Sequence, residues 1–308
     1  MRPSAEIGTS PPKLAADEGT KSVLIVANPT SGGYRPKTLA KIQSYLTQAG
    51  CDARLHLTTH AGEIAEIAAN KNLTVDVLAI AGGDGSVNEA LTGFQDNPAP
   101  PVLAVIPCGT ANVLAHELNL PKRPAGIARA ILNQRTSPLH YGLANGHPFV
   151  LMASAGFDAE VVHGIPLALK RKLGKLAYVI TAIKIALSRK SSDLTVDIDG
   201  EKHDGKLAVA TNGRFYGGPF VVSPDASVTT HGLHVLVLKK DDPLSALRFG
   251  LALVIGRVHK AKGVTLAAVE KVRVLSKRPV AAQIDGDPFG TTPLEISAGP
   301  DNLAIVVS

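Results

Sequence analysis

Asp84 is the side chain of this sequence best placed to do chemistry. It sits inside Gly82-Gly83-Asp84-Gly85-Ser86-Val87-Asn88-Glu89. A glycine turn at a helix start presents backbone N–H groups and the positive end of a helix dipole, which suits a phosphate. A fixed carboxylate beside a phosphate is repulsive unless a cation or a transferable proton lies close. The plainer alternative is a glycine turn closing a strand, with Asp84 as a helix cap.

The elements around it fit a phosphate turn. Val75–Ala81 reads as a buried strand and Val87–Phe94 as a helix. Two more apolar strands end the same way. Ser22–Ala27 runs into Asn28-Pro29-Thr30-Ser31-Gly32-Gly33, and Val102–Ile106 into Pro107-Cys108-Gly109-Thr110-Ala111-Asn112. Ligands of open α/β sheets lie beyond the carboxyl ends of the strands, and three such turns at one edge are hard to assign to loop chemistry alone.

Strands near Val23, Leu55, Leu78 and Leu103 alternate with helical patterns over Pro36–Ala49, Ala61–Asn70, Val87–Phe94 and Ala125–Asn133. That is a parallel sheet covered by helices. We place this α/β domain at residues 21–137, after a disordered tail at 1–20, and a β-rich domain at 138–308. In the second domain Leu139–Ala144 and Phe149–Ser154 flank the hairpin signal Asn145-Gly146, and Asp199-Gly200 follows Thr195–Ile198. Short β segments recur from Leu207 to Val307, which reads as an antiparallel sandwich. A helical insert is expected over Pro166–Ser188.

Composition narrows the function. The 308 residues are 45% hydrophobic and 19% charged, enough for a real core. Aromatics make up 4% with no Trp, which argues against a base-stacking nucleic-acid platform. A net charge of +6 suits an anionic partner. Only Cys51 and Cys108 occur, so no disulfide framework is expected and a reducing compartment fits. Residues 1–20 lack the apolar core of a secretory signal. The apolar runs at Leu176–Leu187 and Phe249–Gly256 fall short of the roughly 20 residues a bilayer span needs. No P-loop, no Gly-x-Gly-x-x-Gly after a strand and no protein-kinase signature is present.

Taken together, Asn28-Pro29-x-Ser31-Gly32, Gly82-Gly83-Asp84-Gly85-Ser86-x-Asn88-Glu89 and Pro107-x-Gly109-Thr110-x-Asn112 resemble the diacylglycerol kinase catalytic-domain family, which includes bacterial lipid kinases, sphingosine kinases and ceramide kinases. The resemblance continues through Ala155-Gly156-Phe157-Asp158-Ala159, Pro224-Asp225-Ala226 and Ile284-Asp285-Gly286-Asp287. It implies a Rossmann-like α/β domain of the NAD-kinase and lipid-kinase type, a β-sandwich second domain and a cleft between them. It also implies C-terminal strands packing back on the first domain.

By this resemblance ATP contacts Gly82, Gly83, Asp84, Gly85, Ser86, Asn88, Thr110 and Thr58, with Thr59 an alternative one residue on. Asn28, Ser31, Gly32, Gly109 and Asn112 complete the nucleotide turns, and the two Asn read as braces or as ordinary caps. Asp84 is expected to hold Mg²⁺ through water, or to act as base. Asp287 is the preferred base. The family usually carries Glu there, and Asp falls about 1.5 Å short, so a water relay or cleft closure is expected. A plain β-turn is the alternative. Asp84→Asn and Asp287→Asn are both expected to abolish transfer and leave the fold intact.

Where many bacterial members have Asp-Gly for a structural Mg²⁺, this chain has His231-Gly232, so that site is expected to be absent or weakened. His231 and His234 invite a zinc reading, but exposed strand histidines fit better. Asp158 and Glu160 would meet the polar head of a lipid, or sit at a helix N-terminus that favours acids. Lys170, Arg171, Lys172, Lys175 and Lys184 punctuate Leu167–Ser188 and Arg189 follows it, a pattern that lies on anionic membranes or forms a packed helix with a solvated face.

The expected activity is an ATP- and Mg²⁺-dependent lipid kinase of lipid metabolism, acting on a diacylglycerol-like or sphingoid hydroxyl. It would be a peripheral cytoplasmic protein taking its substrate at a membrane surface, with no nucleic-acid partner. Its oligomeric state is open, a homodimer included. The competing readings are an NAD kinase-like enzyme and a silent nucleotide- or lipid-binding module.

Overall fold

The computed structural model of the chain describes residues 20–164, 193–240, 242–300 and 303–308. The insert expected at Pro166–Ser188 and the tail up to residue 19 lie outside the described residues.

The first layer is built on β1 (Ser22–Ala27), β2 (Asp52–Leu57), β3 (Val77–Gly82) and β4 (Val102–Pro107), all parallel. β3 reads Val-Leu-Ala-Ile-Ala-Gly and every residue of it is buried, as expected where helices cover both faces. The helices are α1 (Pro36–Gln48), α2 (Glu63–Ala69), α3 (Asp84–Phe94), α4 (Val113–Glu117) and α5 (Pro124–Asn133). α1 shows the logic: proline opens it, and Leu39, Ile42 and Leu46 recur at helical spacing to bury one stripe. β5 (Thr136–Leu139) and β20 (Leu303–Val306) complete the sheet in the order β2-β1-β3-β4-β20-β5. β20 lies between β4, to which it is parallel, and β5, to which it is antiparallel.

The second layer pair is a sandwich of two antiparallel sheets. One holds β6 (Gly142–Ala144), β7 (His147–Phe149), β9 (Leu194–Ile198), β10 (Glu201–Gly205), β16 (Lys271–Ser276) and β19 (Leu294–Ala298). The other holds β8 (Met152–Gly156), β11 (Leu207–Thr211), β14 (Leu233–Leu238), β15 (Val264–Val269), β17 (Ala281–Ile284) and β18 (Asp287–Thr291). Phe149, Val196, Val235, Val272 and Ile296 fill the space between the sheets. A small ribbon, β12 (Phe215–Tyr216) with β13 (Phe220–Val221), and helices α6 (Phe157–Gly164) and α7 (Pro243–Val254) lie outside it. No described helix is long and apolar enough to cross a membrane.

Both hairpin signals are realised. Asn145 and Gly146 have φ of 48° and 82°, and Asp199 and Gly200 have 50° and 89°, the paired positive values of a type I′ turn. Three expectations need correction. The strand read over Leu139–Ala144 is two strands in different sheets, because the chain crosses from β5 to β6 at His140–Tyr141. Phe149–Ser154 likewise divides between β7 and β8. α3 also begins at Asp84 rather than Val87, since the turn winds straight into the helix behind an extended Gly83.

Candidate active site

The three glycine turns meet at the carboxyl ends of β1, β3 and β4. The Gly33 N–H donates to the Cys108 carbonyl at 2.8 Å, joining the first turn to the third. Gly83 and Gly109 face each other so closely that a β-carbon on Gly109 would stand 2.5 Å from the Gly83 Cα. A side chain on Gly109 would collide with the Gly83 backbone, so this approach needs glycine there. Thr110 Oγ1 lies 3.5 Å from where a β-carbon on Gly32 would stand, a second place where the first and third turns touch.

Both predicted Asn braces are in place. Asn28 Oδ1 accepts from the N–H and the hydroxyl of Thr30 at 2.9 and 2.7 Å. Asn112, itself left-handed at φ 49°, grips Gly109 twice: Oδ1 accepts its N–H at 2.7 Å and Nδ2 donates to its carbonyl at 2.8 Å. Ser86 is buried in the first turn of α3 beneath Gly82.

The Asp84 carboxylate is committed to the backbone. Oδ2 accepts the Val113 N–H and Oδ1 the Leu114 N–H, both at 3.0 Å, so Asp84 starts α3 and caps α4. Burial pushes its carboxyl up, while the Leu114 and Val113 amides pull it back down. An amide has one oxygen for these two buried donors, so Asp84→Asn is expected to cost stability as well as activity.

Asp287, at the start of β18, reaches across from the sandwich. Its Oδ2 lies 3.1 Å from where a β-carbon on Gly85 would stand. The shorter Asp therefore still borders the phosphate turn. What places it there is Asp285, two residues earlier, to which the sequence reading gave no role. Its carboxylate accepts N–H groups from Val150, Leu151 and Met152 at 2.8, 2.8 and 2.9 Å, and the Asn88 amide at 2.7 Å. Burial nonetheless lifts its carboxyl to about 6, against those four donors. Asn88 also donates to the Pro148 carbonyl at 3.0 Å, so its amide ties α3 to the sandwich rather than facing the glycine turn.

Asp158 is enclosed at the start of α6. It accepts from the Ser154 hydroxyl at 2.6 Å, the Tyr216 hydroxyl at 2.9 Å and the Ala159 N–H at 2.7 Å. Burial pushes its carboxyl up, and the same burial with the Asp158 charge drives the Tyr216 phenol well above its usual value. Glu160, two residues on, is half-buried. Tyr216 is steadied from the first domain: the neighbouring Phe215 N–H donates to Glu117 Oε1 at 2.6 Å, at the far end of α4 from Asp84. The sequence reading missed Glu117 and Tyr216 because nothing local marks them.

Thr58 is buried beside β1, its N–H donating to the Ala27 carbonyl at 3.0 Å. Thr59 gives both its N–H and its hydroxyl to Glu63. His231 is exposed and paired with Glu270 at 3.1 Å. His234 is not an exposed strand histidine: its Nδ1 shares a 2.8 Å hydrogen bond with Ser223, and burial lowers its pKa. Among the described residues no three His, Cys, Asp or Glu side chains gather as a metal-holding group.

The glycine turns of the first domain and a carboxylate of the sandwich lie side by side, and by the likenesses that follow the chain is a phosphotransferase with an alcohol acceptor. Residues 22–144 match the diacylglycerol kinase catalytic domain, and residues 152–307 the YegS C-terminal NAD kinase beta sandwich-like domain. Residues 22–144 thus belong to the diacylglycerol kinase catalytic-domain family, and residues 152–307, half of the chain, to the YegS C-terminal family. It is 29% identical over 280 residues to a diacylglycerol kinase of Bacillus subtilis (strain 168), covering 89% of this chain and 92% of that one. A diacylglycerol kinase of Staphylococcus haemolyticus is 33% identical over 139 residues, covering 44% of this chain and 42% of that one. A crystal structure of a candidate diacylglycerol kinase from Bacillus anthracis str. Sterne superposes with a TM-score of 0.80 over 96% of this chain and 97% of that one, at 22% identity, a likeness of fold.

Proposed function

We propose that this protein transfers the γ-phosphate of ATP to a hydroxyl of a diacylglycerol-like or sphingoid lipid at a membrane surface. One observation carries the reading: the Asp287 carboxylate of the sandwich borders Gly85 of the phosphate turn. A phosphoryl donor and a proton acceptor then face the same crevice, which is what phosphoryl transfer to an alcohol requires.

In this reading the backbone N–H groups of Gly83 to Gly85 and Gly109 to Thr110 bind the triphosphate. The Gly83–Gly109 approach leaves no side chain in the way, so the cradle fits the group. Asp287 accepts the proton of the acceptor hydroxyl as that hydroxyl's oxygen attacks the γ-phosphorus, and the bond from the γ-phosphorus to the bridging oxygen breaks to release ADP. Asp158 and Tyr216 orient the lipid head by hydrogen bonds. Asp84 would hold Mg²⁺ through water, since each of its oxygens accepts one N–H and keeps a second lone pair. Bound with the nucleotide, Mg²⁺ supplies neutralisation of the developing phosphate charge. Hard cations of this kind keep waters and phosphate oxygens as their main ligands, which agrees with so few protein carboxylates here. Asp287 is favoured over Asp84 as base because the Asp84 oxygens are already turned to the start of α4.

The test is a lipid extract, and separately NAD, incubated with the protein, Mg²⁺ and γ-labelled ATP, the product identified by mass. Labelled lipid supports the proposal. Label in NAD, or nucleotide binding with no turnover on any lipid, overturns it.

A further inference from the structure

α7 turns the usual logic of a surface helix around. Phe249, Ala252 and Leu253 pack against the core, as an amphipathic helix should. Yet the outward side is apolar too: Leu251 is 57% exposed, Val254 66% and the following Ile255 65%. Arg248, Leu251 and Ile255 follow one another at i, i+3 and i+7, a single outward stripe. Of the six exposed large hydrophobic residues among the described residues, these three fall within five positions. Scattered apolar exposure is ordinary; a cluster marks a surface that meets something.

Along the chain beyond the capping Asp242, which sits at the other end of the helix from the cluster, the charge is of one sign. Residues 243–263 contain Arg248, Arg257, Lys260 and Lys262 and no Asp or Glu. All four cations are exposed. The helix also packs on β13, where Val221 Cβ lies 3.8 Å from the β-carbon position of Gly256. β13 pairs with β12, whose Tyr216 reaches Asp158, so the face adjoins the proposed acceptor site.

We propose that the outward face of α7 and its basic margin dock the protein on an anionic bilayer, with Leu251, Val254 and Ile255 entering the headgroup boundary and the four cations pairing with lipid phosphates. This deepens the lipid-kinase reading, on which it rests for its purpose. An apolar stripe rimmed by cations is the pattern of helices that lie in a charged membrane interface. A second copy of the chain fits less well, because a two-fold contact would set four cations against four.

The purified full chain should sediment with phosphatidylglycerol-containing vesicles, without nucleotide, and not with phosphatidylcholine alone, and rising salt should weaken the binding. Replacing Leu251, Val254 and Ile255 by Ser should weaken it at least about tenfold, and Arg248→Gln with Arg257→Gln about fivefold per cation. Unchanged thermal melts and unchanged turnover of a short-chain dispersed acceptor would show both variants folded. Wild type that ignores anionic vesicles overturns the proposal. So does a triple-Ser variant that binds like wild type, whether or not it converts a dimer to a monomer, or whether Lys170→Gln with Lys172→Gln abolishes binding instead. Vesicle binding lost in the triple-Ser variant, by a protein that phosphorylates no lipid, would support the docking face and sink the kinase reading alone.

Discussion

Asp287 Oδ2 stands 3.1 Å from the place a β-carbon on Gly85 would take, so one methyl group would press on the proposed base. Gly85→Ala should therefore lower kcat about tenfold to a hundredfold, the scale of a small misplacement at a reacting centre. Its melting temperature should hold or rise, since Gly85 lies in the first turn of α3 and Ala is the better helix former. A thermal melt beside a rate assay checks both, and a Gly85→Ala protein with full kcat would show that the contact is idle.

Asp287→Asn should lower kcat by about 10²- to 10⁴-fold, the usual worth of a general base, with KM for ATP unchanged. Asp287→Glu should retain most of the rate, because the added methylene can fold toward solvent on an exposed side chain. Steady-state kinetics of the two variants distinguish a lost proton acceptor from a distorted turn.

Asp84→Asn should cost stability as well as activity. One of the two buried N–H groups, Val113 or Leu114, loses its acceptor, at about 1–3 kcal/mol. Urea denaturation of the variant without ligand measures this directly. An unchanged midpoint would mean that α4 needs no cap from Asp84.

Glu117→Ala should act on the acceptor side alone. It removes the acceptor of the Phe215 N–H and the partner of Arg214, loosening the β12 ribbon that carries Tyr216. KM for the lipid should rise severalfold while KM for ATP stays. Glu117→Gln keeps an oxygen for Phe215 and should recover most of the loss.

Asp285 makes a pH prediction. Its folded-state value of about 6 lies above the ordinary aspartate value of about 3.9. The folded protein thus binds this proton more tightly than the unfolded chain. The stability it confers is complete below about pH 4 and is lost as pH rises through 6, a change on the order of 3 kcal/mol. The stability advantage of wild type over Asp285→Asn should therefore shrink between pH 4 and 6 and level off above. Parallel urea titrations at several pH values across that range provide the check, and an advantage that grows with pH would reverse the assignment.

The sequence was most readable where local chemistry decides structure. The parallel strands, the three glycine turns, Asn112 bracing Gly109 and both type I′ hairpins follow from short stretches of sequence. It was least readable where partners are far apart. Asp285 gathers amides from residues 150–152 more than a hundred positions earlier, and Glu117 meets Phe215 across the domains. Only the fold brings such groups together, so no window of residues contains the signal. The start of α3 was misread for a different reason: glycine punctuation suggested a turn, whereas packing against the third strand turn held Asp84 and Gly85 in helix.

β20 carries a consequence for how the molecule is made. Its Ile305 pairs with Leu103 of β4, yet the ribosome delivers residue 305 long after residue 103. Until then the nascent α/β half has β4 as a bare, apolar sheet margin, the kind of edge that recruits strands from other chains. Fragments ending before residue 303 should therefore aggregate, and the long-range closure should make the parallel sheet one of the last parts of the protein to become native.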